Sequence, residues 1–207
     1  MKKVLVTFVA LVMLLGVTSQ AKTKMSWGPK AGASLANWIG SDVSGTDAKL
    51  GLSAGAFLGI DVANQIRFQP ELLYVMKGLK ATESGVDVKV KLNYLEVPVL
   101  IKWMIPTQGT VDPSLFVGLA PAFNMSAKAN GSFGGGSLEV DIKDIIKNID
   151  FGAVFGGGVD FAAGTGSFGF DVRYTMGLSS IDDSGSDANI KNAAWSAMFA
   201  YTMPIGQ

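Results

Sequence analysis

Residues 67–103 read RFQPELLYVMKGLKATESGVDVKVKLNYLEVPVLIKW and contain two stretches in which apolar and polar side chains alternate. This alternation has the two-residue period of a β-strand. The apolar face of the two strands carries Ile66, Phe68, Pro70, Leu72, Tyr74, Met76, Leu95, Val97, Val99, Ile101 and Trp103. The opposite face carries Arg67, Gln69, Glu71, Lys77, Tyr94, Glu96 and Lys102. The pattern predicts an amphipathic pair of strands, and the rest of the chain decides which face meets the interior.

The composition excludes several function classes. The 207 residues fit one domain and include no Cys and no His, which removes disulfides, thiol catalysis and the most common general base and metal ligand. Only 16% of the residues are charged, against roughly 25% in an average soluble domain. No cofactor or metal site is predicted, and we expect a protein that is not an enzyme.

The N-terminus has the features of a secretory signal. Lys2 and Lys3 precede an apolar run over residues 4–17, and Ser19-Gln20-Ala21 resembles a cleavage site. We expect residues 1–21 to be removed and residues 22–207 to form the mature domain. Taking two of the 17 basic residues away leaves 15 against 17 acidic ones, a net charge of −2 that does not favour a nucleic-acid partner.

The mature chain repeats the strand pattern six more times. The predicted strands cover residues 27–35, 50–62, 66–77, 94–103, 114–125, 151–161, 168–176 and 194–203. Short turns alternate with longer polar loops, of which residues 130–148 form the longest, with a short helix predicted in VDIKDIIKN. Strands of this length and alternating loops are typical of outer-membrane barrels. We therefore predict an all-β, eight-stranded antiparallel up-and-down transmembrane β-barrel.

Aromatic residues concentrate at both ends of the predicted apolar face. With the N-terminus in the periplasm, the periplasmic end carries Trp27, Phe68, Trp103, Phe161, Phe168 and Tyr201. The external end carries Tyr74, Phe123, Phe151, Tyr174 and Trp195. Two such aromatic girdles are expected in a bilayer-spanning barrel. A secreted soluble barrel or sandwich is the alternative, but it would leave the girdles unexplained and the glycine-rich face as a thin exterior.

The unit FQPELLYVMKGLK followed by LNYLEVPVLIKW resembles the outer-membrane β-barrel family of Bacteroidetes that includes the PorT-like proteins. Members of that family carry a "QPELLYSQKG" strand followed by a "YLEIPLLLKY" strand. Residues 28–34 (GPKAGAS) and 150–158 (DFGAVFGGG) are similar to its opening and central elements. The chain departs from the family at its end, MPIGQ, where an aromatic residue is common. The resemblance implies an outer-membrane location in a Gram-negative bacterium, and PorT-like members are associated with secretion and gliding machinery.

Ten charged residues fall on the face that a membrane barrel turns inward. They are Lys30, Asp61, Arg67, Glu71, Lys77, Glu96, Lys102, Asp160, Asp171 and Arg173. An eight-stranded barrel is just wide enough to be filled by its own side chains, so five basic and five acidic residues favour mutual pairing. The open alternatives are an ion or proton path, and a carboxylate pair of Glu71 and Glu96 like that of glycosidases, although Arg67 and Lys102 on the same faces favour neutralisation.

Three lesser candidates lie outside the predicted interior. Gly164–Gly169 matches GxGxxG but opens a strand, whereas a dinucleotide site needs a helix there. Asp182, Asp183 and Asp187 form an acidic loop without the ligand spacing of a calcium loop. Lys89 and Lys91 point outward above the apolar band, where they are predicted to meet lipopolysaccharide phosphates.

Two functions from different classes remain. The first is a structural or accessory barrel, monomeric and in contact with outer-membrane lipid and lipopolysaccharide, whose external loops bind another envelope protein. The second is a narrow pore or a barrel that binds or transports a small ligand.

Overall fold

A computed structural model describes residues 24–83, 86–133, 136–186 and 188–206. The predicted signal peptide, residues 1–21, lies outside the described residues. The strands are β1 Met25–Ile39, β2 Asp47–Ala63, β3 Ile66–Glu83, β4 Val86–Glu96, β5 Val99–Met104, β6 Val111–Phe133, β7 Gly136–Asp141, β8 Ile149–Ala163, β9 Gly166–Gly177 and β10 Lys191–Ile205. No α-helix among these residues is long and apolar enough to cross a membrane.

The strands close into a ring in which every neighbour is antiparallel. β1 pairs with β2 on one side and with β10 on the other, so the first and last strands join and leave no open edge in the ring. β4 and β5 both lie between β3 and β6 and together make one barrel strand. The ring therefore has eight strands, which confirms the predicted fold class.

The break between β4 and β5 falls at Val97 and Pro98. Proline has no N–H to donate to a strand ladder, so it interrupts the regular pairing. The neighbouring strands still satisfy the backbone there, because the Glu71 N–H donates to the Pro98 carbonyl over 2.8 Å and the Val97 N–H donates to Pro121 over 2.8 Å. The chain consequently passes through this point without opening the barrel.

Side chains alternate between a buried interior and an exposed apolar exterior. Along β2, Leu50 and Leu52 are 64% and 61% exposed, while Gly51 and Ser53, which alternate with them, are buried. Charged side chains, including Glu71 and Arg173, are buried inside. An exterior more apolar than the interior is the reverse of a soluble protein and is expected where lipid replaces water around the strands.

The first and last described residues, Lys24 and Gly206, lie at the same end of the barrel as the three short turns. We call this end the terminal end and the other the loop end. Aromatic rings contact each other across neighbouring strands near both ends. Phe168 and Tyr201 have ring centroids 4.9 Å apart near the terminal end, and Tyr174 and Trp195 have theirs 5.0 Å apart near the loop end. These pairs belong to the two predicted aromatic girdles.

The prediction of a long loop over residues 130–148 was wrong in part. β6 continues to Phe133 and β7 returns beside it, so that the two form a hairpin that extends beyond the ring at the loop end. The alternating residues SLEVD are few and follow a glycine-rich segment without a period. The two-residue pattern was therefore too short to predict β7. The predicted short helix is reduced to one 3-10 turn, Lys143–Ile145.

Candidate functional site

Four charged side chains from three strands meet in the middle of the barrel. Lys30 on β1 lies 2.9 Å from Glu71 on β3 and 2.6 Å from Asp171 on β9. Arg173, also on β9, lies 2.7 Å from Glu71 and 3.2 Å from Asp171. Each cation therefore contacts both carboxylates, and each carboxylate contacts both cations. We call these four residues the central cluster.

The central cluster is shielded from water and has its polar atoms satisfied. The Glu71 side chain is 0% exposed and those of Lys30 and Arg173 are 2% exposed. Gln69 adds a further hydrogen bond, since its amide nitrogen donates to Glu71 Oε1 over 2.7 Å. Buried charges are tolerated only when they are paired and hydrogen-bonded in this way.

Aromatic rings fill the space beside the central cluster. The Lys30 ammonium lies 5.7 Å from the centre of the Phe57 ring, and the Arg173 guanidinium lies 5.3 Å from that of Phe116. Cations at this distance from a ring face are attracted to it. Together the charges and rings occupy the barrel cross-section, as expected for eight strands.

Toward the terminal end the interior becomes wetter and its ion pairs looser. Arg67 lies 2.6 Å from Asp61, but both side chains are partly exposed. Lys102 and Asp160 are 3.8 Å apart. Arg67, Asp61 and Asp160 line an open cavity of about 410 Å³, here called the vestibule.

Toward the loop end a second polar group crosses the barrel. Lys77 on β3 lies 2.7 Å from Glu96 on β4, with its ammonium 5.2 Å from the centre of the Tyr94 ring. The Asn192 amide donates to Tyr94 over 3.1 Å and to Asp150 over 2.9 Å. Sequence reasoning missed the roles of Asp150 and Asn192, because each is the second residue of its strand, where alternation has barely begun.

An apolar cluster lies above this polar group and covers the loop end. We call it the cap; its buried members are Leu79, Val90, Leu92, Tyr94, Ala122, Ala127, Ile146 and Ile181. Ile146 and Ile181 come from connections outside the strands, and the Lys147 N–H donates to the Ile181 carbonyl over 2.8 Å. Water-filled passage through the loop end would have to cross these packed side chains. The sequence offered no signal for the cap, because neither connection has a strand or helix period.

All ten predicted interior residues lie inside the barrel, but two expected neutralising contacts differ. Glu71 is neutralised by Lys30 and Arg173 instead of Arg67. Glu96 is neutralised by Lys77, while Lys102 faces Asp160. Alternation assigns a face to each residue but not its height relative to residues on other strands, which is why these partners were misassigned. Since Glu71 and Glu96 each contact a cation, neither is arranged as the free acid or base of a glycosidase pair.

The acidic loop and the lysines of β4 occupy the loop end, whereas Gly164–Gly169 forms the turn between β8 and β9 and the start of β9 at the terminal end. Asp182 accepts hydrogen bonds from the hydroxyls of Ser184 and Ser186. The pKa of the Asp182 carboxyl is lowered, and the hydrogen bond from Ser184 is the main cause. Asp187 lies outside the described residues. Within the described ranges, no three His, Cys, Asp or Glu residues are grouped to hold a metal ion. Lys89 and Lys91 are exposed on the outer face of β4.

A closed antiparallel barrel with an apolar exterior, aromatic girdles and a charged, filled interior defines a membrane-spanning β-barrel protein. The family model "Outer membrane protein beta-barrel domain" matches residues 18–183, so the chain belongs to this family. Membership places the protein in the outer membrane, and we identify the terminal end with the periplasm and the loop end with the cell exterior, as is usual for such barrels. A search of curated proteins found no match.

Solved structures of small outer-membrane barrels have a similar fold. OprG from Pseudomonas aeruginosa is 14% identical with a TM-score of 0.51, over 89% of this chain and 96% of that one. Neisserial surface protein A is 19% identical with a TM-score of 0.48, over 84% and 95%. Ail from Yersinia pestis, in complex with the heparin analogue sucrose octasulfate, is 15% identical with a TM-score of 0.45, over 87% and 99%. At these identities the likeness concerns the fold alone.

Proposed function

We propose that the protein is a non-enzymatic, side-chain-filled barrel whose external part contacts another component of the cell envelope. The observation that carries this proposal is the double closure of the interior. The central cluster fills the middle of the barrel, and the cap covers the external end. A barrel closed at two levels serves as a membrane anchor for what it displays outside.

The interior chemistry supports a role without catalysis. A nucleophile or general base needs an activated group with room for substrate beside it. The carboxylates of Glu71, Glu96 and Asp171 each lie within 3.2 Å of a cation. The chain has no His or Cys that could take their place. These charges stabilise the barrel by binding each other.

The external hairpin of β6 and β7 supports contact with a partner. Leu138 on β7 is 70% exposed, and Val140 and Ile145 nearby are also exposed. Apolar side chains grouped in water beyond the membrane mark interaction surfaces. The resemblance to PorT-like proteins favours a partner in envelope or secretion machinery, with the barrel itself monomeric.

A narrow pore or small-ligand barrel is the second candidate, and the vestibule is the observation that favours it. The cavity of about 410 Å³ opens toward the periplasm and carries both signs of charge, including Arg67 and Asp160. For conduction, an ion would have to pass from there through the central cluster and then through the cap. The vestibule supports a dead-end binding pocket better than a channel.

Conductance in planar lipid bilayers distinguishes the two candidates. We expect purified protein, folded by the criterion of heat-modifiable migration, to insert without steady single-channel openings at ±100 mV in 1 M KCl. A porin inserted into the same bilayer serves as the positive control. Steady openings that persist after repurification would contradict the filled barrel and favour the pore.

A further inference from the structure

Four lysines form a compact group on the outer surface of the barrel, on the external side. Lys80 on β3 is directly opposite Lys89 on β4, and Lys91 on β4 is directly opposite Lys128 on β6. Residues paired across antiparallel strands share a face, and alternation turns this face away from the buried Val90 and Leu92. We call these four residues the lysine patch.

The lysine patch stands directly above the lipid-facing surface. Tyr74, Leu95 and Phe123 form one cross-strand row on the same outer face, near the external girdle. Lys91 is four residues and Lys89 six residues beyond Leu95. With a rise of about 3.3 Å per residue and a tilt of about 40°, the patch lies about 10 to 15 Å above that row. This is the height of the lipid headgroups.

Polar side chains occupy the level between the apolar row and the lysines. The Asn93 amide donates to the Ser126 hydroxyl over 2.9 Å on the outer surface, one row above Leu95 and Phe123. From the membrane outward, the surface therefore changes from apolar, to uncharged polar, to cationic. A phosphorylated glycolipid has the matching order of acyl chains, sugar and phosphate.

The charges of the patch are incompletely neutralised within the protein. Like charges directly opposite each other destabilise a sheet. Glu139 accepts a hydrogen bond from Lys128, which lowers the pKa of the Glu139 carboxyl, and it lies 3.8 Å from Lys91.

Lys80 and Lys89 lack such a partner among the side chains that the structure describes, where no carboxylate lies within 4.0 Å of either ammonium. Asp47 is opposite Lys80, and Asp87 shares the face of Lys89 and accepts a hydrogen bond from Thr82. These carboxylates lie beyond salt-bridge distance. The two lysines are therefore available to an external anion.

We propose that Lys80, Lys89, Lys91 and Lys128 bind the phosphate groups of lipopolysaccharide in the outer leaflet. The proposal rests on the outer-membrane location and the orientation given above, and it does not depend on whether the barrel conducts. Lysine ammonium groups are strong phosphate ligands, and several on one surface attract anionic lipid. The adjacent apolar row packs against the acyl chains, so a lipid is favoured over a soluble anion.

The test measures binding of fluorescent diphosphorylated lipid A to the folded protein in nonionic detergent micelles. The variant Lys80→Gln/Lys89→Gln removes the two lysines that have no described carboxylate within 4.0 Å. The matched control Lys24→Gln/Lys147→Gln removes two exposed lysines elsewhere and changes the net charge equally. Both variants should fold, because all four positions are on the surface. Heat-modifiable migration checks that each variant is folded.

We expect the patch variant to bind about 30-fold more weakly than wild type, from about 1 kcal/mol per lysine near a membrane surface. The control should bind within about twofold of wild type, and added salt should weaken binding because exposed charges are screened. Lipid A stripped of both phosphates should bind wild type at least as weakly as intact lipid A binds the patch variant, which keeps Lys91 and Lys128. The proposal would be overturned if the two double variants bound intact lipid A equally tightly. It would also be overturned if wild type bound stripped and intact lipid A equally tightly. Displacement by equimolar inorganic phosphate would overturn the choice of a lipid.

Discussion

Replacing Glu71 by Gln should strongly destabilise the barrel while leaving its shape unchanged. The carboxylate of Glu71 contacts Lys30, Gln69 and Arg173 within 3.2 Å and is 0% exposed. Glutamine has nearly the same volume but no charge. Asp171 would then be the only carboxylate of the central cluster facing the two cations.

The magnitude follows from the uncompensated charge. Breaking a buried ion pair by removing one partner typically costs about 3–5 kcal/mol. We expect Glu71→Gln to lower the free energy of unfolding by that amount. The double variant Glu71→Gln/Lys30→Met removes the surplus cation as well, and the remaining Arg173–Asp171 pair is neutral. It should therefore recover more than half of the loss.

Guanidinium titration in lipid vesicles, followed by tryptophan fluorescence and by heat-modifiable migration, measures these free energies. Asp61→Asn is the matched control, since it makes the same chemical change in an ion pair at the wet vestibule, where the Asp61 side chain is 30% exposed. It should cost less than about 1 kcal/mol. Equal losses for Glu71→Gln and Asp61→Asn, or a double variant less stable than Glu71→Gln, would refute the reasoning.

Two further predictions concern the seam and the external hairpin. Gly28→Ala should prevent closure of β1 against β10, because a Cβ there would lie 1.8 Å from the Tyr201 carbonyl oxygen. We expect this variant to lose the heat-modifiable form. The control Gly131→Ala should keep that form, because no atom lies within 4 Å of a Cβ added there. A photo-crosslinking residue at Leu138 should give a discrete protein adduct in intact cells, while one at lipid-facing Leu115 should not. The partner proposal fails if both positions give the same adducts.

Strand alternation was sufficient to predict the ring and its two faces. Each barrel strand has enough residues for the two-residue period to stand out, and a one-residue shift in the register of a strand would turn the charged residues of that strand toward lipid. Glu71 and Arg173 could therefore be assigned to the interior from their own strands alone. The alternation of short turns with long loops, with the N-terminus in the periplasm, then predicted the orientation.

The contacts between distant strands could not be predicted in the same way. Glu71 and Arg173 are 102 residues apart, and their heights depend on the registers of all the strands between them. Irregularities such as the one between Asn93 and Tyr94 shift those registers locally. The cap was missed because Ile146 and Ile181 lie in connections, where burial depends on the whole assembled barrel.

The cap also has a consequence for how the external loops can vary, because it ties separate connections to one another. Many barrels carry loops that change length and sequence independently, since each is anchored only to its own pair of strands. Here the connection after β9 is hydrogen-bonded to the segment after β7 through Ile181 and Lys147, and Asn189 donates to Asp42 in the first loop. An insertion in one of these loops would be transmitted to the others. We therefore expect the first loop, the segment after β7 and the connection after β9 to change together, with an insertion in one compensated in the others.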